Sequence, residues 1–150
     1  MVITSPRRGE ISQTNFVRKV AKLVHPNDGA LSFYTELEQR RILDNYYRAL
    51  EHTFPVEYNS DDSIFFKTLG FGALMSALPY VFNLTLTQVA GFRVEDIVKM
   101  LGSISDFDFE SWRQKGTGNQ AELDAADDLR QELSRRLQTS PAEKRDSIPL

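Results

Sequence analysis

Ile64-Phe65-Phe66-Lys67-Thr68-Leu69-Gly70-Phe71-Gly72-Ala73-Leu74-Met75-Ser76-Ala77-Leu78-Pro79 decides the fold, because its apolar groups cover nearly every side of the helix it predicts. A helix without a polar face has to lie at the centre of others. Asn59-Ser60-Asp61-Asp62 supplies caps and negative charge where such a helix would start. Gly70, Gly72 and Ala73 leave room for a neighbouring helix to approach closely, and Pro79 is expected to kink or end the helix. Asn83-Leu84-Thr85-Leu86-Thr87 alternates and reads as a short extended link, although one such run makes no sheet.

On the amino-terminal side, Thr35-Glu36-Leu37-Glu38 is a capping box. The helix it opens carries Leu43, Tyr46, Tyr47, Leu50 and Phe54 as an apolar stripe as far as Pro55, with Arg40, Arg41, Arg48 and Glu51 on its wet side. Before it, Ser12 caps a helix with Phe16, Val17, Val20, Ala21 and Val24 on one face and Arg18, Lys19 and Lys22 on the other. His25-Pro26-Asn27-Asp28-Gly29 ends that helix in a turn. On the carboxyl side, a short helix is expected from Val94 to Leu101, closed by Gly102 in the left-handed position. The glycine turn Gly116-Thr117-Gly118-Asn119 then precedes a last helix with Leu123, Ala126, Leu129, Leu133 and Leu137 inward. Residues 139–150 hold little to bury and read as a disordered tail. The expected fold is all-α, a single compact bundle of about five helices over residues 1–138 with a central buried helix.

Composition mostly excludes. Across 150 residues, 41% hydrophobic and 11% aromatic side chains suffice for one core. A formal charge of -3 is too small to draw a polyanion through the field of the whole molecule, so any nucleic-acid contact must be local. The absence of cysteine removes disulfides, thiolate metal sites and cysteine nucleophiles. Residues 64–82, the longest apolar stretch, are interrupted by Lys67, Thr68, Gly70, Gly72, Ser76 and Pro79, a poor pattern for a membrane helix. The first residues carry no long apolar run, so no membrane contact is expected and a cytoplasmic location is. Asn83-Leu84-Thr85 has the form of a glycosylation acceptor with no secretion signal to accompany it.

Few residues offer chemistry. His25 sits in a turn and His52 near a helix carboxyl end, where a positive charge suits the dipole, so neither is assigned as a base. Ser63 and Lys67 are one residue too far apart for a Ser-x-x-Lys pair. Asp106, Asp108 and Glu110 alternate as cation ligands can, but Ser111 stands where a calcium loop needs glycine and Thr117 where it needs glutamate. That segment reads instead as the start of a helix, with Phe107, Phe109 and Trp112 inward and the acids wet. No catalytic residue, metal or cofactor is expected.

Two binding readings remain. Lys115, Gly116, Thr117 and Gly118 form a glycine-rich turn opening a helix, where exposed N–H groups can hold an anion. Arg7, Arg8, Arg18, Lys19, Lys22, Arg40 and Arg41 would form one basic strip for DNA phosphates if the first two helices packed side by side. The alternative is a solvated face balanced by Glu36, Glu38, Asp44 and Glu51.

Three runs carry a family likeness: Gly9-Glu10-Ile11-Ser12-Gln13-Thr14-Asn15-Phe16-Val17, then Leu43-Asp44-Asn45-Tyr46-Tyr47-Arg48-Ala49-Leu50 before Phe54-Pro55, then Phe66-Lys67-Thr68-Leu69-Gly70-Phe71-Gly72-Ala73-Leu74. In this order they resemble the carboxy-terminal helical part of DGQHR-domain proteins, relatives of the DndB-type proteins associated with DNA sulfur modification. The likeness extends from about Gly9 to Leu137, over helical segments of the kind read above. The namesake Asp-Gly-Gln-His-Arg motif does not occur, and Asp28-Gly29-Ala30-Leu31 is only a turn. In that family the motif belongs to a ParB-like amino-terminal region. The resemblance therefore implies the distal part of a larger protein, a noncatalytic module that positions DNA or a protein partner such as an upstream ParB-like domain. The alternative expectation is a protein-interaction or self-association module using an uncovered patch around Phe107, Phe109 and Trp112.

Overall fold

A computed structural model describes residues 13–137 and 149–150 of the chain. Every regular element among the described residues is helical. Five helices have eight residues or more: α1 (Gln13–Val24), α2 (Glu36–Thr53), α4 (Thr68–Val89), α5 (Val94–Leu101) and α7 (Asn119–Leu137). Two are single turns, α3 (Pro55–Tyr58) and α6 (Glu110–Arg113), and 3-10 turns occupy Ile64–Phe66 and Gly102–Ile104. The all-α bundle with a buried central helix is what the apolar periodicity predicted.

The central helix is α4, which packs chiefly against α7 and also meets α1, α5 and the 3-10 turn before it, while α2 packs chiefly on α5. Among the described residues α4 is the one helix long and apolar enough to cross a membrane, yet 72% of its apolar window is buried inside the protein. Residues 83–87 are the last turns of the helix, not the expected extended link, and Pro79 lies inside the helix without ending it. Removing one backbone donor matters less than keeping Val81, Phe82, Leu84 and Thr85 covered. The threonines that supply the alternating pattern donate their hydroxyls to the preceding turn, Thr85 to Val81 O at 2.6 Å and Thr87 to Asn83 O at 2.7 Å.

The Thr35 box forms as its sequence requires. Thr35 Oγ1 accepts the Glu38 N–H at 3.1 Å, and Glu38 Oε1 accepts the Thr35 N–H at 2.9 Å. Behind it Tyr46 and Tyr47 are buried and turn their hydroxyls to main-chain oxygens, Tyr46 donating to Leu74 O at 3.0 Å. Burial pushes both hydroxyl groups well above the ordinary tyrosine range. Phe71 of α4 meets Phe16 of α1 at 5.2 Å and Tyr47 of α2 at 6.1 Å between ring centroids, so one ring joins three helices.

The bounds of α5 match the expectation, but Gly102 does not close it in a left-handed conformation. Its φ of -57° and ψ of -28° let the chain run on into a 3-10 turn, because Ile104 continues the buried face. Gly116 and Gly118 do adopt positive φ, 80° and 106°, and turn the chain into α7. Of the expected tail, residues 139–148 lie outside the described residues. Pro149 and Leu150 are described and lie against the turn between α4 and α5, with Pro149 O accepting the Phe92 N–H at 2.7 Å.

At Gly70 a Cβ would stand 1.8 Å from the Ile64 carbonyl oxygen, a backbone atom that cannot move aside. Gly70→Ala should therefore lower the unfolding free energy by about 2–3 kcal/mol. Gly102, helical and open to solvent, should gain about 0.4–1 kcal/mol as Ala through loss of unfolded-state entropy. Urea unfolding of the two variants measures this opposite pair of effects.

Candidate functional site

Among the described residues, no main helix contact joins the basic residues of α1 and α2 into one strip. α1 has its main contacts with α4 and α2 with α5, and the side-by-side packing of α1 and α2 that a continuous strip needs is not among the main contacts. Arg7 and Arg8 lie outside the described residues. Arg18 and Lys22 are exposed on α1, and Arg41 is exposed on α2. Arg40 holds Glu36 at 2.6 Å and Arg48 holds Asp44 at 2.9 Å, each one helical turn away.

Lys19 corrects the reading of α1. It belongs to the inward face with Phe16, Val20, Leu23 and Val24, while Val17, expected inward, is exposed. Its Nζ meets Glu122 Oε2 of α7 at 2.5 Å, and the Glu122 side chain is almost wholly buried. Glu122 in turn takes the place expected for Leu123, which is exposed, so the inward face of α7 begins Glu122, Ala125, Ala126, Leu129 and Leu133. The space for this carboxylate comes from Gly72, where a Cβ would stand 2.2 Å from Glu122 Oε1. A buried carboxylate needs a counter-charge, and Lys19 supplies it with most of its stem covered.

At the glycine turn the lysine has a partner within the fold. Gly116, Thr117 and Gly118 are exposed before α7, but the Lys115 ammonium is engaged by Asp128 at 2.8 Å. Ser63 Oγ caps the 3-10 turn by accepting the Phe65 N–H at 3.3 Å, and Lys67 is held by Asp62 at 2.7 Å, so these two side chains have separate partners.

Phe109 and Trp112 are buried and Phe107 half-buried, stacked edge to face around Phe54 and Phe65. An uncovered apolar patch at Phe107, Phe109 and Trp112 is thus not what the structure holds. Asp106, Asp108 and Glu110 are exposed, as expected, and each has a structural partner. Arg136 holds Asp106 at 3.1 Å, Asp108 Oδ1 accepts the Glu110 N–H at 2.9 Å, and Glu110 meets Arg113 at 2.8 Å. Arg113 also clamps both Glu57 oxygens at 2.8 Å, tying α6 to α3. Beside them a surface cleft of about 400 Å³ is lined by Phe54, Val56, Phe107 and Phe109 together with Glu57, Asp108, Glu110 and Arg113. Among the described residues no three histidine or acidic side chains gather as metal ligands. His25 pairs with Asp28 at 2.9 Å in its turn, and His52 is exposed on α2.

Comparison with family models, with curated proteins and with solved structures finds no match. What can be said of a site therefore comes from these residues.

Two surface features escaped the sequence reading. The first is at the start of α2, where Phe33 is 96% and Leu37 68% exposed, beside exposed Arg40 and Arg41. The second is the corner between α4 and α5. Ala90 ends α4 in the left-handed region at φ 63°, and the Phe92 ring is buried edge-on to Phe82 at 4.9 Å. Phe92 O accepts from Asn45 Nδ2 of α2 at 3.0 Å. Asp96, 2% exposed, accepts the Arg93 N–H at 3.0 Å and the Arg93 guanidinium at 2.8 Å. Burial pushes the Asp96 carboxyl up, but the hydrogen bonds and charge of Arg93 together outweigh it and hold the group below the usual carboxylate range.

Two outcomes follow from these buried acids. Lys19→Met strands the Glu122 carboxylate in the core and should lower stability by about 3 kcal/mol, with Lys19→Met/Glu122→Gln recovering much of it in a double-mutant cycle. A depressed folded-state pKa means that the Asp96 contribution is complete above the unfolded value, about 3.9, and is lost as pH falls through the lower folded value. Asp96→Asn should therefore be less stable than the parent at neutral pH and lose less on acidification below about pH 4, as read by thermal melts across pH.

Proposed function

We propose that this chain is a noncatalytic helical module of a DGQHR-type protein, acting beside DNA modification or defence by holding a macromolecular partner in place. The observation that supports this most directly is the start of α2, where Phe33 and Leu37 project beside Arg40 and Arg41. An exposed apolar pair with Arg41 and the Arg40–Glu36 ion pair on the same stretch of chain suits a partner protein that offers an apolar pocket and a carboxylate, such as a ParB-like domain. The reactive side chains support the same reading, since Lys19, Lys67, Arg113, Lys115 and Arg136 are each committed to a carboxylate of the fold.

A DNA-positioning role has its own support in Arg18 and Lys22. They are one turn apart on α1, exposed, and without an ion-pair partner among the described residues. Phosphate contact through them would be salt-dependent and indifferent to base sequence.

Titrating the chain with a ParB-like domain of a DGQHR-type protein and with a random-sequence duplex separates these roles. Protein contact predicts binding that Phe33→Asp/Leu37→Asp weakens at least about tenfold. DNA contact predicts binding whose slope against log salt becomes shallower by about two when Arg18 and Lys22 are changed to Glu. Silence toward the domain and the duplex, from a chain that sediments as a monomer at high concentration, removes the proposal.

A further inference from the structure

The corner at residues 90–93 presents a main-chain donor in a fixed position. Phe92 is held from three directions: its ring by Phe82, its carbonyl by Asn45 of α2, and the residue before it by the close approach of Asp96. None of these contacts uses its N–H. That donor goes to Pro149 O at 2.7 Å, while Leu150 lies half-buried against the core. Phe92 itself is buried, so its N–H needs an acceptor that can enter the corner. At Gly91 a Cβ would meet Asp96 Oδ2 at 2.5 Å and Pro149 O at 3.2 Å, so the absence of a side chain there is what admits the approaching backbone.

The occupant's chemistry matches the corner. Proline carries no N–H, and so brings no donor of its own for the corner to satisfy. Its fixed φ reduces the freedom the segment loses on docking, and Leu150 follows it into partial cover against the core. The neighbouring acceptor, Asp96, is already filled by Arg93. Affinity from one main-chain bond and selectivity from one apolar side chain is the way extended segments are recognised by exposed backbone.

We infer that this corner is a docking slot for an extended Pro-Leu segment, filled here by the chain's own Pro149 and Leu150 and able to take the same segment from a second copy. The 11 residues between Leu137 and Pro149 have a fully extended length of about 40 Å, the greatest distance over which one chain could offer the segment to another. Among the described residues the segment is held by one hydrogen bond, the approach of Pro149 to Gly91 and a half-buried leucine, contacts that can open locally. This inference does not depend on the DGQHR reading.

The test uses the full chain and amide hydrogen exchange, with the Phe92 amide as reporter and the Leu74 and Leu129 amides as controls in the core. In Leu150→Asp, Phe92 protection should fall about tenfold or more while the controls hold. An excess of the peptide Asp-Ser-Ile-Pro-Leu, the sequence of residues 146–150, should restore it, and the scrambled Leu-Asp-Pro-Ser-Ile should not. Unchanged protection in the variant would mean that the segment does not cover the donor. A fall shared by the controls would make the segment part of the core, and restoration by neither peptide or by both would mean that there is no slot. Each of these results overturns the inference.

Discussion

The fold is organised around α4, whose exposed positions are Ser76, Asn83 and Gln88 alone. Thirteen of the 22 residues of α4 are buried, and its neighbours can cover it only where its own surface lets them close in. Gly70 and Gly72 are the two points of closest approach, one admitting a backbone carbonyl and the other a carboxylate. The carboxylate has the wider consequence. Because Glu122 enters the core at Gly72, Lys19 must follow it, and α1 is thereby fastened to α7 by charge as well as to α4 by Phe16. A small residue near the start of one helix thus sets how two others face.

The same logic limits what the charges can do at the surface. Cations that look available along the chain are largely struts: Arg113 joins α6 to α3, Arg136 joins the end of α7 to Asp106, and Arg93 starts α5 by holding Asp96. The Arg93 arrangement resembles a capping box from which one half is missing. Arginine has no acceptor, so the Asp96 carboxylate provides the capping bond alone and the guanidinium compensates its burial. Exposed groups without such duties include Phe33, Leu37 and Arg41 around the start of α2 and Arg18 and Lys22 on α1. A partner-binding reading draws on those two places, and the corner at Phe92 is a third, of a different kind, where the backbone itself is on offer.

Local chemistry made much of this legible in advance. Caps and periodicity act over one or two turns, so the Thr35 box, the stripe of α2 and the bounds of α5 could be read from neighbours in the chain. The wet acids at Asp106, Asp108 and Glu110 and the inward aromatics beside them could be read for the same reason. The surface start of α2 left no such signal, because an exposed phenylalanine differs from a buried one only in what fails to cover it.

The sequence by itself determined that the chain is helical, where α2 and α5 run, and that residues 64–78 lie at the centre, since each of these depends on contacts within a few residues. Tertiary structure alone decided which face of α1 turns inward, that Glu122 and not Leu123 enters the core, and that residues 83–87 stay helical through Pro79. It also decided that Pro149 and Leu150 settle on Phe92. In each case the deciding partner is far away in sequence, Glu122 lying 103 residues from Lys19, and local pattern cannot register a counter-charge or a cover that arrives only when the chain has folded.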